Sequence, residues 1–338
     1  MAGPVISVVM PVYNEALRLH RAIASIQSQS FQDWELVAID DGSDDGTGLQ
    51  LADAASGDSR IRVIFRDHHG IAPALNAGIA EARGEWIARM DADDLMRSDR
   101  LAVQLDYAAK HPDLAIVGSL VDLNSEMPPA PESGMARFIH WVNSLTTPEL
   151  IARDIFVDCP IPHPTFFLRR SVFEDVGSYS DSGAPEDYEL ALRLHSLGYR
   201  FGKVPESLVA WTDWEGRASR TSENYGRDVF RALKIRFLKS HMEDRTICVW
   251  GAGSVGKRFV LGLQEQGFSV EAIIDVDPRK IRQVIHGCRV VTADEWLNGR
   301  TSDSLVLAAA GAPGAREEIR QFLTDKGLSE TADFVAVA

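Results

Sequence analysis

Cysteine is scarce: three in 338 residues, Cys159, Cys248 and Cys288, with neither a metal-type spacing nor an even disulfide set. This excludes a disulfide-stapled secreted scaffold and fits a reducing cytoplasm. Long hydrophobic runs are missing as well. The opening Val5-Ile6-Ser7-Val8-Val9-Met10 follows no basic leader and is too short for a signal or a membrane span, so a buried strand is expected. Positive charge is in deficit, with 35 Lys and Arg against 49 Asp and Glu and a formal net charge of −14. That sign argues against nucleic acid as a general partner, although a metal or local arginines can still invert the field at a phosphate site. No internal repeat and no low-complexity tract interrupts the chain.

What is present is an ordinary globular composition, 45% apolar and 25% charged, in a chain long enough for two domains. The first hundred residues alternate β-rich runs with helical patterns, predicting an α/β fold with a mostly parallel sheet flanked by helices. Strands are expected at Val5–Met10, Trp34–Asp40, Arg62–Phe65 and Trp86–Met90. The stretch from Ala16 to Gln29 has a helical stripe at Leu19, Ile23 and Ile26, with Asn14 placed to cap it. Asp41 to Thr47 reads as a turn and cap cluster opening the next helix. Later, a leucine-rich helix is expected from about Pro185 to Leu197, and Met127-Pro128-Pro129-Ala130-Pro131 reads as a breaker-rich surface insertion.

Ligands of open α/β sheets gather outside the carboxyl ends of the strands. Three polar clusters fall there: Pro11-Val12-Tyr13-Asn14-Glu15, Asp40-Asp41-Gly42-Ser43 and Asp91-Ala92-Asp93-Asp94. The last bunches three carboxylates, a donor set suited to a divalent cation that neutralises phosphate. A solvated acidic turn is the plain alternative for one such cluster, but not for three at successive strand ends.

These segments, together with Asn76-Ala77-Gly78-Ile79, Gly84-Glu85-Trp86, His163-Pro164-Thr165, Val176-Gly177-Ser178-Tyr179 and Glu186-Asp187-Tyr188, resemble the inverting family 2 glycosyltransferases of GT-A fold, over residues 4–220. The resemblance implies roles. Tyr13 and Asp40 would hold the base of a nucleotide-sugar, with Pro11 and Glu15 shaping the pocket. Asp93 would be the main ligand of Mn²⁺ or Mg²⁺, and Asp91 would contact the ribose or the metal. Asp187 would be the catalytic base, with Glu186 beside it. Arg217 and Arg220 would reach the diphosphate or lie on the surface. Asp94 has two readings, metal second shell or helix cap, and His163 is a candidate acceptor-site residue. The processive members' Q-x-x-R-W motif is absent, which favours transfer of a single sugar. Where many relatives have Tyr-Arg this chain has Trp211-Thr212, which puts donor contacts there in question.

The chemistry agrees with those roles. Departure of a diphosphate requires countercharge, and one carboxylate must take the acceptor proton. A single base points to inversion. The donor expected is a UDP-sugar, and the acceptor a hydroxyl on a glycan or lipid-linked glycan. The rival readings are a sugar-phosphate nucleotidyltransferase, a dehydrogenase, and a glycosyltransferase-like binding subunit without turnover.

Residues 244–338 form a second α/β pattern, read as a small Rossmann-like module. Gly251-x-Gly253-x-x-Gly256 follows an apolar run, and Asp275 ends the next strand. NAD is the weaker reading here, because no hydride-transfer constellation accompanies the glycines; docking, regulation or homo-oligomerisation is the stronger. Residues 1–222 are expected to form the glycosyltransferase domain and 223–243 an amphipathic linker helix with Phe230, Leu233 and Phe237 on one face. Seven Lys and Arg against two acids between Arg217 and Lys239 leave peripheral contact with the inner face of an anionic membrane as its alternative role.

Overall fold

Strands covered by helices on both faces read as near-continuous apolar runs, and the N-terminal segments do so. A computed structural model describes residues 3–126, 134–217, 220 and 222–338. The expected Met127–Pro131 insertion lies outside these residues. The chain forms two compact units, one running to Ala152 and resuming over Pro160–Asn224, the other made of Arg153–Cys159 and Tyr225–Ala338.

The first unit is built on strands β1 (Ile6–Val12), β2 (Trp34–Asp40), β3 (Ile61–Phe65), β4 (Trp86–Arg89), β5 (Leu95–Met96), β6 (Leu114–Ser125), β7 (Phe167–Arg169) and β8 (Arg200–Asp213). They form one sheet in the order β3-β2-β1-β4-β7-β6-β8-β5. The first four strands of that order run parallel, with Val8 opposite both Leu36 and Ala88. β7 then enters antiparallel to β4 and β6. Ile6, Val8, Met10, Trp34, Leu36 and Ala88 are all buried in one core cluster. The helix Leu19–Gln27 adds Leu19, Ala22, Ile23 and Ile26. Asn14 does not cap that helix. It takes a left-handed conformation, φ 53°, and its side-chain oxygen accepts from the Asp44 amide at 3.0 Å. The cap position falls to Arg18, which makes no side-chain cap bond.

The helix Ile71–Glu81 lies against β1 and β2 at Gly78. A Cβ there would come within 2.5 Å of Ile39 Cδ1 and 2.7 Å of Val9 Cγ1.

The second unit carries β9 (Thr246–Trp250), β10 (Val270–Ile274), β11 (Val284–Ile285), β12 (Cys288–Val291), β13 (Ser304–Ala308) and β14 (Phe334–Ala336), in the order β11-β12-β10-β9-β13-β14. All pairings except the β11–β12 hairpin are parallel. Gly251 holds φ 125°, and the Gly256 Cα lies so close to the Gly251 carbonyl that no Cβ fits. The basic helix runs over Arg227–Met242 and belongs to this unit. Its buried face is Leu233, Lys234, Ile235, Leu238 and Met242, while Phe230 and Phe237 are half-buried, a rotation from the expected stripe. Lys234 donates to the carbonyls of Val157 at 2.6 Å and Val337 at 3.0 Å, which ties Arg153–Cys159 into the unit. Burial lowers this lysine to about 8. No helix among the described residues is long and apolar enough to cross a membrane.

Replacing Gly78 by valine forces an isopropyl group into the Val9–Ile39 contact. A loss on the order of 2 kcal/mol of stability is expected by denaturant titration. Unchanged stability would show that the helix can move off the sheet at no cost.

Candidate active site

The strands β2, β1 and β4 are neighbours and parallel, so their carboxyl ends lie side by side. The three polar clusters therefore meet along one edge.

The outermost corner carries an aromatic stack. Tyr13 is 46% exposed, and its ring lies over that of His68, 4.0 Å between centroids and 25° between planes. Buried Asp41 organises the loop that presents His68. Its carboxylate meets His68 Nδ1 at 2.9 Å and Arg66 Nε at 3.2 Å, and accepts from the Gly70 amide at 2.7 Å. Asp40, also buried, accepts from the Ser43 amide at 3.0 Å; its other oxygen faces Gly48, where a Cβ would sit 2.8 Å away. Pro11 and Glu15 flank this corner and are half-buried. Asp45 spends its oxygens on Thr47 and the Ala16 amide, a local turn role.

The middle corner is acidic. Asp91, Asp93 and Asp94 each bring one carboxylate oxygen to within 4.8 Å of the others. Burial alone would raise Asp91, but Arg89, ion-paired at 2.5 Å, holds its carboxyl below the usual range. Burial and then the Asp91 charge raise Asp93. Burial, with Asp93 and Asp91 behind it, raises Asp94 well above the ordinary carboxylate value. Asp94 is not a helix cap: it is wholly buried, with Oδ1 accepting from the Thr212 amide at 2.7 Å and Oδ2 without a hydrogen-bond partner. Glu15 joins the crowd, raised to about 7 by burial and by Asp93.

The segment after β8 closes over these acids. Trp214 Nε1 donates to Asp93 at 2.8 Å, and the Arg18 guanidinium lies 3.8 Å from the Trp214 ring centroid while pairing with Glu126 at 2.8 Å. Arg217 lowers all three aspartates electrostatically. Arg220 instead pairs with Asp213 at 2.6 Å.

The third corner lies at the start of the helix Glu186–Ser196. Glu186 is 3% exposed and turns inward; Asp187 is half-buried. Burial and the adjacent Glu186 push Asp187 up to about 6. His163, the expected acceptor-site residue, is buried with Nε2 2.9 Å from the Tyr179 hydroxyl and Nδ1 3.3 Å from Glu186. His68 and Arg66, the partners of Asp41, escaped the sequence reading. The signal was present, because Arg66-Asp67-His68-His69-Gly70 is a fourth polar cluster at a strand end.

The model of the family described as glycosyl transferase family 2 matches residues 7–177, half of the chain. The chain belongs to that family. GlyG of Streptococcus pneumoniae serotype 4, named a glycosyltransferase, is 37% identical over 88% of this chain and 99% of its own length. EpsE of Bacillus subtilis strain 168, which also carries a glycosyltransferase name, is 32% identical over 67% of this chain and 80% of its own. Among solved structures, S. aureus TarS 1–349 in complex with UDP-GlcNAc shares the fold with a TM-score of 0.54 at 16% identity, covering 77% of this chain and 80% of that one. The mannosyltransferase PcManGT of Pyrobaculum calidifontis, in complex with GDP-Man and Mn²⁺, gives 0.52 at 19%, covering 78% and 69%. The protein is thus a glycosyltransferase with a GT-A fold.

The acidic corner fits a hard divalent cation. Its donors are carboxylate oxygens, one is buried and unpartnered, and Arg89 and Arg217 offset the surrounding like charge only in part. Millimolar Mn²⁺ should therefore raise the thermal midpoint of the protein, and Asp93→Ala should remove most of that increment. An equal increment in the variant would sink this prediction.

Proposed function

We propose that this glycosyltransferase moves one sugar, with inversion, from a nucleoside diphosphate sugar to a hydroxyl on a glycan acceptor, with UDP as the preferred nucleotide. The observation that carries the reading is the separation of tasks along one sheet edge: an aromatic stack, a carboxylate trio with an unpartnered oxygen, and a half-buried carboxylate beside a buried one at a helix start. The UDP-GlcNAc and GDP-Man complexes of the structural neighbours support the donor class.

Tyr13 offers an aromatic face, and Asp40 a carboxylate, to the base of the nucleotide. Asp93, with Asp91 and Asp94 beside it, would hold Mn²⁺ or Mg²⁺. When bound, that cation offsets the charge developing on the departing diphosphate. Arg217, which already faces the acids, suits the diphosphate better than Arg220, whose charge Asp213 takes up. Asp187 accepts the proton of the attacking hydroxyl, and its elevated value suits a base working near neutrality. A second carboxylate placed as a nucleophile would be needed for retention. Glu186 is turned away and bound to His163.

For the second unit, the five parallel strands run β12-β10-β9-β13-β14, which is 3-2-1-4-5 in chain order and supports a Rossmann-like reading. Asp275, the acid a ribose would meet, accepts from the Ala252 amide of the glycine turn at 2.6 Å and from Lys280 at 3.2 Å. This favours a docking or regulatory role over bound NAD.

The decisive measurement is release of nucleoside diphosphate from a panel of sugar nucleotides with Mn²⁺ or Mg²⁺ and with EDTA. Turnover indifferent to EDTA would refute the metal assignment. Asp187→Asn should lower kcat by roughly 10²–10⁴-fold while donor binding persists. Because Asp187 must be ionised to accept a proton, kcat/KM should fall as pH drops through about 6. A flat profile from pH 5 to 8 would contradict Asp187 as the base.

A further inference from the structure

The base sits on a helix turn whose placement depends on a buried hydrogen-bond chain. His163 lies in the short turn His163–Thr165 and is 6% exposed. Nε2 is 2.9 Å from the Tyr179 hydroxyl, and Nδ1 is 3.3 Å from Glu186 Oε1. Burial and the nearby Arg89 cation lower the ring to about 3, so it is neutral. A neutral ring carries one proton. Nε2 lies at hydrogen-bond distance from the phenol, and Nδ1 is the nitrogen on the side of the Glu186 carboxylate.

Tyr179 is itself held at the backbone. The Asn76 side chain, on the helix Ile71–Glu81, donates to the Tyr179 carbonyl at 2.8 Å and accepts from its amide at 2.9 Å. From the other side, Arg193 donates to the carbonyls of Val176 at 2.5 Å and Ser178 at 2.8 Å, and pairs with Glu189 at 3.0 Å on its own helix. The loop bearing the phenol is therefore pinned to two helices, one of which carries Asp187. Gly177, at φ 84°, allows the bend that brings three successive carbonyls to Arg193.

We propose that His163 is a positioning residue of sugar transfer, working through Glu186 and Tyr179 to fix the helix turn that presents Asp187. This inference rests on the reading of Asp187 as the base. It turns Glu186 from a second candidate base into the inner anchor of the first: one carboxylate of the pair is spent on orientation so that its neighbour keeps one direction. A histidine that merely fills the core would not require the loop bearing its phenol partner to be fastened to two helices.

The test separates orientation from folding and from donor binding. UDP and GDP affinity in Mn²⁺ is measured by calorimetry, kcat by nucleoside diphosphate release, and stability by thermal unfolding. Tyr179→Phe removes one oxygen and keeps the ring. His163→Asn keeps a donor near the Nδ1 position, and His163→Ala removes both contacts. The expected result is a kcat for His163→Ala lowered roughly 10- to 100-fold with nucleotide Kd unchanged, the scale of a displaced catalytic group. His163→Asn should recover most of that loss and Tyr179→Phe should fall between. Wild-type kcat in folded Tyr179→Phe and His163→Ala, or a loss of kcat matched by an equal loss of nucleotide affinity, would overturn the proposal. If His163→Ala does not fold, the pair Tyr179→Phe and His163→Asn decides: a lowered kcat at unchanged Kd in Tyr179→Phe supports it and wild-type kcat in both refutes it. A wild-type protein that turns over no sugar nucleotide would refute the functional reading, and this inference with it.

Discussion

Like charge is the constraint on which the site depends. Glu15, Asp91, Asp93 and Asp94 converge at the ends of β1 and β4, and burial makes each ionised carboxylate there costly. Arg89 answers only Asp91, at 2.5 Å, and its guanidinium is itself buried. Trp214 contributes a neutral N–H to Asp93 rather than a charge. Arg18 divides its contacts between Glu126, Glu15 and the Trp214 face. The protein thus surrounds its acids with partial remedies and leaves a positive charge wanting.

The fold produces this crowding without special devices. Parallel order β2-β1-β4 places three strand ends in a row, and each end is a place where side chains of the next turn face the same way. Gly78 lets a helix lie close on β1 and β2, and Asn76 two residues earlier reaches Tyr179 beside His163. One helix therefore packs β1 and β2 and steadies the loop that contacts His163.

Local pattern made the N-terminal half legible. The strands at Trp34–Asp40 and Trp86–Arg89, the helical stripe Leu19-Ile23-Ile26 and the acidic loop were visible because each is decided by neighbours in sequence. Other features depend on pairings between distant residues. Asp94 meets Thr212 across 118 residues and Asp93 meets Trp214 across 121, so neither partner is announced by the acidic loop itself. The long strand β8 runs through Lys203, Pro205 and Glu206, a composition that reads as loop; it becomes a strand because β6 pairs with it from Leu114 to Ser125. The same holds for Arg153–Cys159, whose membership of the second unit is settled by Lys234 and by the contacts of Asp154 with Arg320. Asn14 misled because Asn favours both helix caps and left-handed turns, and here the turn prevailed.

A cluster that repels itself keeps its geometry only if its frame is stiffer than the repulsion. Behind the acidic loop, Arg100 is fully buried and lowered to about 9 by burial and by Arg89, yet it spends its donors on the Arg89 carbonyl at 2.9 Å and on Gln104 at 2.8 Å. Gln104 donates in turn to the carbonyls of Val117 and Thr165, joining β6 to the turn that carries His163. Gln29 accepts from the Leu101 amide and donates to the Arg97 carbonyl just beyond the acids. Each of these side chains bonds backbone, so the loop ends are held by groups whose own positions the sheet sets. Removing charge from the acids would relax the site but leave this frame without purpose. The buried polar frame is best understood as what allows four carboxylates to wait, already in place, for positive charge.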